Sequence, residues 1–364
     1  MARKKSRGTK VGGTARKRRA TGAKATEQST NAKAAAGSAV TSVENRTATE
    51  RIWLTKPSRA RVGREVVALR DQIARDRAQR YADYLKWVKN PTEPPVVALR
   101  AAGVQTFRAV APAAARQPLR ILAEGDSWFD YPLPPVRGDG VIYQLQKLLR
   151  YPINNMAHWG EEVRQMLGLA QRQEIVTRLT DNSVNYDAML FSGGGNDLVG
   201  DQLVTFLQDQ GPVPPPAKMF NDDAMNAVID LLKAEYKELV GIRNQYSAGT
   251  VIFVNSYDFP KVTGKGVCGI GPWLKPSLDY VYGQMGVAVP DPEQEYQVVK
   301  TMLERFNQML QDIAKDPSIT NFIVVGTQGT LDRDKDWQNE IHPTSGGFAK
   351  IAAKFQAALS KQFP

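Results

Sequence analysis

The chain has 364 residues, 42% of them hydrophobic, enough to bury one substantial core. Its single cysteine, Cys268, excludes an internal disulfide and cannot alone form a thiolate metal site, and no apolar run approaches the ~18 to 20 residues that span a bilayer. The net charge of +11 is unevenly spread: residues 1–90 carry 23 Lys/Arg against 7 Asp/Glu, and the remainder is mildly acidic.

Residues 1–50 are rich in Ala, Gly, Thr, Lys and Arg with almost no large apolar side chain, so a disordered basic tail is expected there. Two readings of its charge stand side by side: non-specific engagement of phosphates on nucleic acid or an anionic surface by residues 1–90, or a solubilising tail. The charged start lacks an apolar stretch behind it, so no secretory signal is read and a cytoplasmic location is the simplest expectation. An Arg-rich, acid-poor start also has the composition of an organelle transit peptide. Residues 51–116 read as a basic helical region and linker. Within them, Val62, Val66, Leu69 and Ile73, then Tyr81, Tyr84, Leu85 and Val88, recur at helical spacing over 58–89, and "NPTEPP" ends the helix.

From residue 117 to 364 the pattern becomes a single domain of alternating strands and helices. Short apolar runs at 120–124, 152–157, 186–192, 250–255 and 321–326 predict buried strands. Helical stretches follow at about 140–150, 161–179, 221–246, 293–314 and 344–360. This alternation predicts a parallel sheet covered by helices on both faces, with reactive groups at the carboxyl ends of its strands.

Four pieces lie at or near such ends: "GDSW" with Ser127, "NMAHWGEE" with Gly160, "SGGGNDL" with Asn196 and "WQNEIHPTSGG" with His342. Each is weak alone. Together they supply what acyl transfer needs: a nucleophile in Ser127, a base in His342, and oxyanion donors from the N–H of Ser127, the N–H of Gly160 and the amide of Asn196. On these motifs the chain from about 118 to 360 resembles the SGNH (GDSL-type) hydrolases. The resemblance implies a flavodoxin-like three-layer α/β/α sandwich with a five-stranded parallel sheet. It also implies hydrolysis of carboxylic esters, thioesters or acetyl groups through an acyl-serine, with neither metal nor organic cofactor.

One position departs from that family. Its Asp three residues before the His is here Asn339, with Glu340 beside it. An amide can hold the imidazole but brings no charge to stabilise imidazolium. Three expectations follow: Asn339 or its carbonyl orients His342, Glu340 does so, or Asp332, Asp334 or Asp336 enters from the preceding loop. His158 reads as structural, and Asp126 and Asp197 as turn-stabilising groups. Insertions at 208–220 and 256–286 are expected to wall the pocket, for a small-molecule, lipid or carbohydrate ester. Two other functions fit the same sequence: an O-acyltransferase using the same acyl-serine, or a non-catalytic nucleic-acid-binding or scaffold protein on a degenerate hydrolase fold.

Overall fold

The computed structural model describes residues 59–91, 117–132, 137–267 and 269–364. The expectations for the tail at 1–50, for most of the linker and for Cys268 lie outside them. Residues Glu65–Pro364 form one compact unit. Five parallel strands make its sheet: β1 (Ile121–Gly125), β4 (Asn154–Asn155), β5 (Ala188–Ser192), β6 (Val251–Asn255) and β7 (Phe322–Val325), in the order β4-β1-β5-β6-β7. This is a flavodoxin-like sheet. A short antiparallel pair, β2 (Tyr131–Pro132) and β3 (Arg137–Asp139), follows β1. Every residue of β1, β5 and β6 is buried, because strands covered on both sides leave no polar face.

Register shows how the helices divide. Leu190 pairs with Phe253, so Phe191 and Phe253 point to opposite faces of the sheet. Phe191 meets Tyr236 of α7 (Asp222–Tyr246), whereas Phe253 meets Phe363, just beyond α10 (Ser345–Gln362). On the α7 side α9 (Pro292–Lys315) and α4 (Leu169–Leu179) pack on α7; on the other side α2 (Val141–Leu149) packs on α10. The result is the three-layer sandwich. The long helices start at polar caps: the side chains of Asn221, Asp291 and Thr344 each accept a backbone N–H of the first turn, a contribution of about 1 kcal/mol each.

Helix α1 (Arg59–Lys89) matches the helical period, and among its described side chains the expected stripe is buried or half-buried from Ile73 onward. Val66 and Leu69 are exposed, while Tyr84 and Trp87 are buried and stack on Tyr186 and Tyr151. In the middle of that stripe sits a buried arginine, Arg77. Helix 161–179 is split into α3 (Val163–Met166) and α4, and the 256–286 segment, read without a period, contains α8 (Lys275–Gln284). Two short helices, α5 (Gly195–Leu198) and α6 (Leu203–Phe206), follow β5.

Candidate active site

β1 ends at Gly125, and the chain turns at once: the N–H groups of Phe129 and Asp130 donate to the carbonyl of Asp126, leaving Ser127 at the apex. Asp126 holds the turn from below. Its Oδ1 accepts the Trp128 N–H at 3.0 Å and the Ser192 hydroxyl at 3.2 Å, and its Oδ2 accepts the Tyr257 hydroxyl at 2.6 Å. Burial pushes the Asp126 carboxyl up to about 6 against these donors. The Tyr257 hydroxyl also accepts the Gly195 N–H at 3.0 Å, so one side chain from the β6 end joins the β1 and β5 turns.

His342 reaches Ser127 from the loop before α10. Its Nε2 lies 2.8 Å from Ser127 Oγ and its Nδ1 lies 3.0 Å from Asn339 Oδ1. The same Oδ1 accepts the backbone N–H groups of Ile341 and His342, and Asn339 Nδ2 donates to the Tyr131 hydroxyl at 3.1 Å. This network fixes the amide, because a flip would turn its NH₂ toward two backbone donors. The oxygen therefore faces the ring, Nδ1 carries the proton, and Nε2 is left to accept from the serine hydroxyl. Tyr131 stacks on the imidazole with centroids 4.3 Å apart, and Trp273 meets it edge-on at 5.3 Å. His342 is 4% exposed, and burial alone lowers its pKa to about 3, so the resting ring is neutral.

Glu340 does not serve the ring. Its Oε1 accepts the N–H groups of Gly264 and Lys275, and its Oε2 those of Trp273 and Leu274, all within 3.1 Å. The expectation that it orients His342 is corrected to a loop anchor, since four amides satisfy the carboxylate away from Nδ1. Asp336 accepts from Lys350 and the Asp332 N–H, Asp334 pairs with Lys261, and Asp332 accepts the N–H groups of Asp334 and Lys335. None of the three takes the contact at His342 Nδ1, which belongs to Asn339.

Gly160 lies in the segment after β4, with φ of 79° and nothing within 4 Å of where a Cβ would stand. The His158 N–H donates to the Gly125 carbonyl, and Asn196 Nδ2 donates to the Glu161 carbonyl at 2.8 Å, so this segment is tied to the end of β1 and to the turn after β5. One hydrogen of the Asn196 amide remains for another acceptor. Among the described residues, no acceptor meets the N–H of Ser127 or of Gly160. Before Asn196, Gly194 has φ of 103°, and a Cβ there would stand 2.7 Å from the Phe306 ring, so the turn needs glycine. Asp197 accepts the Val163 N–H, and burial lifts its pKa to about 6. His158 stacks on Trp159, and burial holds its pKa below the usual value.

A cleft of about 430 Å³, part of it open to solvent, runs from Ser127 and Asn196. Much of its lining is apolar: Val199, Leu274, Val299, Met302, Leu303 and Trp337. The 256–286 insertion supplies Tyr257, Asp258, Pro260 and Leu274, whereas α9, not expected at the site, supplies three side chains.

No family model matches this sequence, and no curated protein matches it. Solved structures similar in fold include the lipase Lip_vut3 from a goat rumen metagenome, at 15% identity and TM-score 0.42, covering 66% of this chain and 97% of that one. An extracellular lipase from Streptomyces rimosus matches at 15% identity and TM-score 0.41, over 66% of this chain and 99% of its own. A carbohydrate esterase family 3 protein from Talaromyces cellulolyticus matches at 11% and 0.37, over 67% and 97%. The five-stranded sheet is the one that the resemblance to the SGNH hydrolases implies.

Proposed function

We propose that the chain is a serine hydrolase of the SGNH type, cleaving a carboxylic ester through an acyl-serine. The observation that carries this reading is the continuous relay Ser127 Oγ, His342 Nε2, His342 Nδ1, Asn339 Oδ1, with contacts of 2.8 and 3.0 Å. Ser127 attacks the ester carbonyl carbon while its proton passes to Nε2. The oxyanion is met by the N–H of Ser127, the N–H of Gly160 and the second hydrogen of the Asn196 amide. Nε2–H then protonates the departing alkoxide, and water repeats the sequence on the acyl-serine. Asn339 holds the productive tautomer throughout but adds no charge, so the imidazolium formed at each step is stabilised less than beside a carboxylate.

The apolar lining of the cleft supports an acyl chain longer than acetyl, since each buried methylene contributes about 0.8 kcal/mol. The test is hydrolysis of p-nitrophenyl esters of increasing chain length, with labelling by a fluorophosphonate. Turnover and labelling of the wild type are expected, with both lost in Ser127→Ala and turnover lost in His342→Ala. A wild type that neither turns over nor labels would sink the reading.

A further inference from the structure

Arg77 belongs to none of the motifs that mark the site and lies about fifty positions before Ser127 in the chain. It is nevertheless 3% exposed, in the apolar stripe of α1. Its Nε donates to the Met156 carbonyl at 2.6 Å and its Nη2 to Glu161 Oε2 at 3.0 Å. Glu124 of β1 and Glu174 of α4 stand 3.6 and 3.9 Å from the same guanidinium. Met156 and Glu161 are the two ends of the segment that carries Gly160. Arg80, one turn later, donates to the Ala157 carbonyl at 3.3 Å and pairs with Asp130, on the turn that holds Ser127.

We propose that Arg77 is a positioning residue for the oxyanion donors: two nitrogens of its guanidinium, Nε and Nη2, clamp the 156–161 segment at its two ends and thereby place the Gly160 N–H and the Asn196 amide. The proposal rests on the hydrolase reading. The linkage to Asn196 is direct, because Glu161, held by Arg77 through its carboxylate and by Gln171 at 2.9 Å, accepts the Asn196 amide on its own carbonyl. The segment needs an outside clamp, since Gly160 is exposed and touches nothing where a side chain would stand.

Stability alone is a poor reason for this arginine. A buried ion pair often does no better than apolar residues of the same volume. Geometry is what a guanidinium adds: its donors sit at fixed spacing in a rigid plane, so Nε and Nη2 set the Met156 carbonyl and the Glu161 carboxylate relative to one another, which a freely rotating ammonium does not. Burial raises the pKa of Glu124, and of the three carboxylates around the guanidinium Glu161 is the one that accepts a hydrogen bond from it.

The experiment uses the full chain with Arg77→Met, Arg77→Lys and Glu161→Gln, each checked for folding by its thermal midpoint. Three quantities are read: kcat and KM on a p-nitrophenyl ester, affinity for an alkylboronic acid that forms a tetrahedral adduct, and affinity for the matching unreactive amide. A misplacement of about 1 Å costs on the order of 10²-fold, so kcat is expected to fall roughly 10- to 100-fold in folded Arg77→Met. KM should stay within about 2-fold, the pattern of an interaction made only in the transition state. Boronate affinity should fall in step with kcat while amide affinity holds. Arg77→Lys should be intermediate, and Glu161→Gln keeps the question open to measurement should Arg77→Met not fold. Wild-type kcat and boronate affinity in folded Arg77→Met, or in Glu161→Gln where the former is unfolded, overturn the proposal while leaving the hydrolase reading intact. An inert, unlabelled wild type overturns both.

Discussion

At the scale of single residues, Asn339 separates two duties that a carboxylate performs together. Replacing the Asp of a Ser-His-Asp triad by Asn can cost roughly 10⁴-fold, a loss traced to the wrong tautomer. Here the N–H groups of Ile341 and His342 hold the amide oxygen toward Nδ1, so the tautomer is already right and only the charge is missing. Asn339→Asp is therefore expected to raise kcat, by far less than roughly 10⁴-fold. The pH–rate profile gives an independent check. A His whose pKa is lowered to about 3 stays a competent base as pH falls, so the acid limb of kcat/KM attributable to His342 should lie below pH ~5. A carboxylate at 339 favours imidazolium, so the limb should move to higher pH in Asn339→Asp. An unchanged limb would show that some other group sets it.

At the scale of elements, the turns after β1, β5 and β6 are held as one by Tyr257, which itself has a φ of 59°. Tyr257→Phe leaves Asp126 Oδ2 and the Gly195 N–H without that partner, at a cost of about 1–3 kcal/mol. Urea unfolding should register the loss as a lower midpoint with an unchanged slope. The central strands were legible in the sequence because runs such as "AMLFS" and "VIFVN" are apolar throughout, as doubly covered strands must be. β4 was legible as a run, yet it pairs through only Asn154 and Asn155. The site was legible to the extent that chemistry sits in short motifs at strand ends. Arg77 stayed hidden although it occupies a stripe position between Ile73 and Tyr84, because its hydrogen-bond partners lie 79 and 84 residues away. The role of Glu340 was illegible for the same reason: the N–H groups that donate to it lie in a loop 65 to 76 positions earlier.

At the scale of the whole molecule, Glu340 ties the 256–286 insertion to the loop that carries His342, through four backbone N–H groups gathered on one buried carboxylate. Glu340→Ala strands those donors, and the 263–275 stretch is expected to open. Limited proteolysis should cut first within that stretch, and the cleft should lose the wall built by Leu274. Wild-type resistance in the variant would count against the anchor. The serine and histidine meet across 215 positions of chain. Loop-closure entropy grows only with the logarithm of length, so this span costs about 0.8 kcal/mol more to close than the 84 positions between Arg77 and Glu161. Length is thus a minor obstacle; what the span demands is that two separate packings hold at once. The Ser127 turn is pinned to the end of β5 by the Asp126 N–H on the Ser192 carbonyl, whereas His342 stands just before α10, which packs on α2. A chain with its sheet complete and α10 displaced would keep the serine turn and lose the imidazole beside it, so the pairing of the two is a property of the whole sandwich and of no single layer.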